Sequence, residues 1–330
     1  MEEGPEMVTR LLTIVGRALI VLVACFTIVF LVVYAVPGDP AALMLGGPSG
    51  ALTASPEQIA EINAQYGFDQ PLIVQYGHRL FDTFTGNWGR SYLSGQEVSV
   101  LVATGLASTL PLALLAFFLA VVGGLLLGGF AARSRNRAVN AVLEMVPPIS
   151  ISLPGFWVGL MLIQLFSFTW PIFPATGNAS PAAIVLPAIT LAIPATGYIA
   201  QVFAQSLRKA LAQPYAEVAR AKGLSPTAIL LSHGVRNAMP ATMTVFGIIA
   251  ANLIAASAVI EIVFSRAGIG STFERAVVSK DLPVVLVITV LVAAMYLAAN
   301  TIVDLLYPLV DPRVARGSRA PRLSLKGAPA

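Results

Sequence analysis

Six apolar stretches dominate the chain, near 13–36, 101–131, 141–169, 183–206, 240–262 and 283–307. A helix needs about 20 mostly apolar residues, rising about 1.5 Å each, to cross the hydrocarbon of a bilayer. The first stretch carries no charge between Ala18 and Val36, and the second none between Leu101 and Ala132. In the second, Gly124 and Gly128 form a G-x-x-x-G that lets helices approach closely, although glycines merely tolerated in lipid give the same pattern. The third begins with Glu144, Pro147 and Pro148, which predicts a kinked or frayed start. Pro187 and Pro194 predict a bend in the fourth. The pattern predicts an all-α integral membrane protein with six transmembrane helices.

Two intervening segments are too polar to sit in lipid. In the first, 37–100, the run SPEQIAEINAQYG reads as a short helix: Ser55 as N-cap, Pro56 at the first helical position, Gln58 completing a capping box and Gly67 ending it. Ile59, Ile62 and Tyr66 share a face. A second helix is predicted from Pro71 to about Phe84, burying Leu72, Tyr76 and Leu80. The segment shows no nucleophile motif and no metal-ligand spacing, so it reads as a packed external cap.

Composition agrees with lipid as the solvent. Of 330 residues, 57% are hydrophobic and 11% charged, against roughly a quarter charged in soluble domains. Fifteen of the 20 Lys and Arg fall in one alternating set of segments: around Arg10 and Arg17, Arg133 to Arg137, Arg208 to Arg236, and Arg313 to Lys326. The positive-inside bias places these segments, and both termini, in the cytoplasm. The net charge of +4 therefore reads as topology, with anionic lipid a secondary partner and no nucleic acid implied. One cysteine, Cys25, excludes an internal disulfide and a cysteine-based metal cluster. Apolar residues run past it to Val36, which argues against a cleaved leader or lipid-attachment box. His78 and His233 fall on opposite sides of the membrane, so no shared metal is expected.

The second polar interruption, 207–239, contains AEVARAKGLSPTAILLSHGVRNAMP. Pro214 can open a helix that Gly223 ends. Ser225 and Pro226 read as N-cap and first position of a second helix, running to about Ser232 and stopped by Gly234. Helices this short are marginal alone and need a surface. An interfacial hairpin on lipid headgroups, a solvated loop and a docking element for a cytoplasmic partner all fit the spacing.

Glu217-Val218-Ala219-x-x-x-Gly223 followed by Arg236-Asn237-Ala238-Met239-Pro240 resembles the EAA loop of ABC importer permeases. The likeness is to the first permease of dipeptide and oligopeptide importers (the DppB/OppB type), binding-protein-dependent inner-membrane components. VPGDPAALM after the first span, YGFDQPLIVQY, GNWGRS, VIEIVFSRAGIGSTFERAVVSKDLPVV and NTIVDLLYPLVDPRV are similar to that family's motifs, in the same order. Departures are Val218 for Ala, Met239-Pro240 for a Leu-Pro one residue later, Ala267 for Pro, and Lys280 and Leu282 for Arg and Tyr.

The resemblance implies a type I ABC importer permease fold. It implies a coupling loop to the ATPase carried by Glu217, Val218, Ala219, Arg220, Gly223, Leu224, Arg236 and Asn237. It also implies a second homologous permease, two ABC ATPase subunits that use ATP and Mg, an external substrate-binding protein, and a dipeptide or oligopeptide substrate, with nickel chelates or glutathione as alternatives. The domains expected are 1–36 (N-terminus and first span), 37–100 (external segment), 101–308 (core permease, with coupling loop 207–239) and 309–330 (basic tail), in the plasma membrane.

No G-x-x-x-x-G-K-[ST] occurs, so this chain carries no phosphate-cradling loop and is not expected to bind a cofactor or act as an enzyme. An ion-coupled carrier would place ionisable groups at mid-membrane, whereas Glu144, Glu261 and Asp304 lie near predicted span ends. Polar residues within spans are candidates for the translocation path: Gln201 and Gln205, four apart on one face; Asn252; and Tyr296 and Asn300, in line with Asp304. Interhelical hydrogen bonding explains them equally well.

Overall fold

A computed structural model describes residues 3–35, 40–45, 55–134 and 136–310. Motif residues 36–39, Arg135 and the basic tail from 311 lie outside the described residues, as does the side chain of Asp304. Among the described residues the structure is helical, with one isolated bridge between Arg90 and Glu97.

Among the described residues, five helical stretches are long and apolar enough to cross a membrane: Thr13–Ala35, Val98–Arg133, Pro181–Leu211, Pro226–Val263 and Leu282–Ile302. A further apolar pair, Asn140–Ser152 and Gly155–Thr169, meets at a 100° bend, the geometry of a broken sixth span or of a re-entrant loop. Pro147 and Pro148, expected to kink or fray the start of this stretch, do not end the helix. Both prolines lie within α6 (Arg137–Ser152), where their carbonyls accept from the hydroxyls of Ser150 and Ser152 at 2.8 Å. The break falls at Leu153 and Pro154 instead. Proline disfavours helical backbone in the residue before it, and Pro154 is extended ahead of α7 (Gly155–Ile163). A π-helical turn, Gln164–Thr169, closes that arm.

The chain divides into two compact units. Unit one comprises 1–116, 154–191 and 251–297. In it, α1 (Glu3–Ala35) presents Phe26 and Phe30 to the external helices α3 (Pro56–Tyr66) and α4 (Leu72–Thr85), the short α2 (Pro40–Met44) lying between in sequence. Tyr76 meets both rings edge-on, at 5.7 and 5.4 Å between centroids. Tyr66 and Phe68 do the same to Tyr92 at 5.0 and 5.4 Å. The Ser55 capping box and the left-handed Gly67 cap (φ 69) of α3 form as the sequence predicts.

On α4 the inward face is rotated from expectation. Tyr76 and Leu80 pack inward, but Leu72 is exposed and Gln75 is buried, its amide donating to the carbonyls of Phe68 and Gln70. A polar residue wins that place because it satisfies carbonyls at the turn that a leucine would strand.

Unit two comprises 117–153, 192–250 and 298–330. Here the C-terminal half of α5 (Val98–Arg133) packs on the C-terminal half of α8 (Val185–Leu211). A Cβ at Gly128 would stand 2.7 Å from the Ala200 carbonyl oxygen, and one at Gly124 2.6 Å from Ile199 Cβ. The G-x-x-x-G is therefore a close-approach site. Phe203, Leu207 and Ala238 form the adjoining core, with Leu125, Ala132 and Leu230 packed against it.

Candidate functional site

Unit two carries the charged hairpin. Gln213 is extended and Pro214 opens α9 (Pro214–Ala221). The chain then turns through Gly223 at φ +84, a left-handed conformation that glycine adopts without strain. Ser225 caps α10 (Pro226–Ile229), its Oγ accepting from Ala228 N at 3.2 Å, with Pro226 at the first position. The hairpin has a small core of its own: Ala216, Ala219 and Ile229, buried against Leu211 and Tyr215. Ala219 is thus packed inside the hairpin, where its small side chain lets the two helices close.

Outward stand Glu217, Arg220, Arg236 and Asn237, together with Val218 (54% exposed), Leu224 (37%) and Leu231 (64%). Arg220 is steadied by Nε donation to Ala216 O at 3.3 Å, and Asn237 by Nδ2 donation to His233 O at 2.7 Å.

Gly234 does not end the second helix. The backbone passes through a π-helical turn, Leu230–Val235, directly into α11 (Arg236–Val263). Gly234 is buried and its φ is not positive; a Cβ there would lie 2.9 Å from a Leu207 methyl and 3.1 Å from a Leu211 methyl. Its smallness serves helix packing, so it gives no stop.

A cavity of about 290 Å³ opens beside α8, lined among others by Gln201, Gln205, Arg208 and, from α6, Glu144. Arg208 Nη2 pairs with Glu144 Oε1 at 2.8 Å and also donates to Ala131 O at 3.0 Å. Of the polar span residues, only Gln201 and Gln205 line this cavity. Asn252 and Tyr296 are exposed and Asn300 is half-buried elsewhere on the chain.

Unit one holds two buried acids: Glu261, which the sequence sets near a span end without giving it a role, and Asp281, which it does not single out. Glu261 is fully buried at the end of α11. Its Oε1 accepts from Thr109 Oγ1 at 2.5 Å, and its Oε2 from the N–H groups of Gly270 and Ser271 at 2.9 and 3.2 Å. It thereby caps α12 (Ile269–Val278) from another helix, where a negative charge is favoured. Gly268 makes room: a Cβ there would fall within the Glu261 carboxylate. Arg266 lies close by, donating to the carbonyls of Ala183 and Gly177 at 3.1 and 3.3 Å. Burial pulls its pKa below the ordinary guanidinium value, and Glu261 opposes that.

Asp281, between α12 and α13 (Leu282–Val310), accepts from Ser91 Oγ at 2.5 Å and from the N–H groups of Tyr92 and Leu93 at 3.0 and 3.3 Å. It bolts the end of the external segment to the corner before the last span. Glu261 lies seven residues ahead of the Gly268-Ile269-Gly270 turn that it caps, so neither it nor Asp281 carries a local sequence mark of its role. Among the described residues no group of three His, Cys, Asp or Glu side chains is placed to hold a metal.

Long apolar spans, a polar-lined cavity and a compact charged hairpin between two spans, with no phosphate-binding loop, define a membrane permease subunit. The chain belongs to the family of binding-protein-dependent transport system inner membrane components: residues 124–316 match that family's model, and residues 7–113 match its N-terminal membrane component. It is 35% identical over 316 residues to a putative peptide transport system permease protein of Brucella abortus (strain 2308), covering 93% of this chain and 99% of the relative. It is 34% identical over 305 residues to a glutathione transport system permease protein of Salmonella choleraesuis (strain SC-B67), covering 92% and 97%. Among solved structures it is similar in fold to an amino acid ABC transporter crystallised with histidines, at a TM-score of 0.52 and 18% identity, over 64% of this chain and 94% of that one.

Proposed function

We propose that this chain is a permease subunit of an ATP-driven importer of dipeptides or oligopeptides, forming half of the translocation pathway. The observation that carries the reading is the hairpin: a preformed corner, packed from within by Ala216, Ala219 and Ile229, that leaves Glu217, Val218, Leu224 and Leu231 uncovered. Such a knuckle suits insertion into a cleft on an ATPase subunit. A rigid corner passes motion to α8 and α11, the two spans that flank it, where a floppy loop would absorb it.

The partners are two ABC ATPases using ATP and Mg, a second homologous permease and an external binding protein. The basic segments put the hairpin and both termini in the cytoplasm. Nucleotide drives the switch between inward-facing and outward-facing states only through its differential affinity for them. The peptide assignment draws on relatives at 35% identity whose names specify peptide transport. Glutathione, itself a tripeptide, is a second substrate reading, supported by the relative at 34% identity.

The test is uptake of labelled peptide into cells or vesicles holding the complete system. Vanadate stops an ATP-driven importer while a protonophore spares it. The opposite pattern would mark an ion-coupled carrier and overturn the reading. Subunits and ligand that co-purify with the intact complex identify partners and substrate together.

A further inference from the structure

We propose that the α8 cavity is a subsite for the charged ends of a small peptide, with Glu144 receiving the α-ammonium and Arg208 the α-carboxylate. This rests on the peptide reading above. Arg208 and Glu144 stand on different helices in the cavity lining and pair at 2.8 Å, with side chains 42% and 55% exposed. A pair so exposed contributes little to stability, so the Glu144 contact itself is not what holds these helices together. The same exposure makes it easy to open. A singly charged ion could open it only by leaving the other charge bare. A zwitterion replaces both partners at once and leaves the local charge balance unchanged.

The cavity's dimensions fit such a guest. Gln201, Gln205 and Arg208 occupy positions i, i+4 and i+7 of α8, a polar stripe about 10 Å long at about 1.5 Å per residue. Three extended residues span about 10 Å, so a guest that engages both Glu144 and Arg208, which touch at 2.8 Å in this structure, requires the two side chains to swing apart along the stripe. Gln201 and Gln205 can both donate to and accept from the peptide groups between the two ends. Ala200 and Ala204, also in the lining, keep the space clear. The volume of about 290 Å³ lies near the lower end of small-ligand pockets, about 300 Å³. Opening the pair needs rotation of the two long side chains and release of the Arg208 bond to Ala131 O.

The experiment uses the purified permease–ATPase complex without its binding protein, so that selection by the latter does not intrude. Binding of trialanine, N-acetyl-trialanine and trialanine amide is measured by competition in saturation-transfer NMR. The wild type is expected to bind free trialanine about tenfold tighter than either capped form, the loss of one charge-assisted contact. Glu144→Gln should flatten the preference for a free amine and keep the preference for a free carboxylate; Arg208→Gln should do the reverse. Equal binding of all three peptides by the wild type overturns the proposal, and needs no variant to fold. Uniform weakening of all three in both variants overturns it too. ATP-driven uptake by the full system separates the two claims. Normal peptide uptake with flat binding ratios removes the subsite alone, whereas absence of any peptide uptake removes the importer reading itself.

Discussion

Replacing Glu261 with alanine removes the cap on α12 without touching the helix itself. Three donors lose their acceptor: the Thr109 hydroxyl and the N–H groups of Gly270 and Ser271. Thr109 can turn back to a carbonyl one turn earlier in α5, but the two amides have no such alternative. Each buried, unsatisfied group costs about 1–3 kcal/mol, so the start of α12 is weakened by about 2–6 kcal/mol. At about 1.4 kcal/mol per tenfold, the lower bound is a roughly 30-fold increase in local opening. Arg266 also loses the nearby charge that offsets its burial. Hydrogen exchange of the complex in detergent, read on peptides covering 266–281, measures the change. Glu261→Ala should accelerate exchange there at least about 30-fold and leave 214–235 unaffected. Glu261→Gln should fall between, because its amide oxygen can still accept from Gly270 and Ser271 while its NH2 faces Thr109 Oγ1. Unchanged exchange at 269–271 in the alanine variant would refute the capping role.

Gly128→Ala should destabilise the complex by about 1–3 kcal/mol through overpacking, because its Cβ meets backbone at Ala200; Gly129→Ala, whose nearest neighbour would be 3.8 Å away, should be neutral in the same thermal unfolding assay. Equal melting of the two would dismiss the close-approach site. At Gly223 a side chain meets open space, so only φ +84 constrains the residue. Gly223→Pro should therefore leave membrane insertion intact but lower the peptide transported per ATP hydrolysed, while Gly223→Asn, which tolerates left-handed backbone, should keep the ratio within about twofold of wild type. Normal coupling in Gly223→Pro contradicts the mechanical role. Asp281→Ala frees residues 91–93 and should speed tryptic cleavage at Arg90 about tenfold or more, two stranded amides being enough; an unaltered rate would show that another contact holds the segment.

How far the sequence carried these conclusions depends on where each signal resides. Local chemistry was legible. The Ser55–Gln58 box, the Gly67 cap, and the Gly223 and Ser225 corner follow from residues within four positions of one another, and the structure forms each of them. Hydrophobic length likewise marked the spans. Features that depend on a distant partner were not legible. Gly234 looks like a helix stop until Leu207 and Leu211 fill the space beside it. Leu72 looks buried until Gln75 is found satisfying the turn before it. The third apolar stretch was expected to be kinked or frayed at its start, by the proline pair, but its sharp bend falls at Leu153 and Pro154, where proline disfavours helical backbone in the residue before it. In the candidate path, the i, i+4 spacing found Gln201 and Gln205. It could not reveal Arg208 reaching Glu144 in the cavity lining, since that pairing joins residues 64 positions apart on two helices.

The central claim is that the 214–235 hairpin receives the motion of an ATPase. Its most direct test is cross-linking in native membranes from Val218→Cys, in a Cys25→Ser background, since Val218 is 54% exposed and Cys25 is the chain's single cysteine. The account predicts a cross-linked product between this chain and an ATPase subunit, altered in yield when nucleotide is trapped by vanadate. A cysteine that never joins an ATPase, or that a membrane-impermeant maleimide labels from outside intact cells, would contradict it.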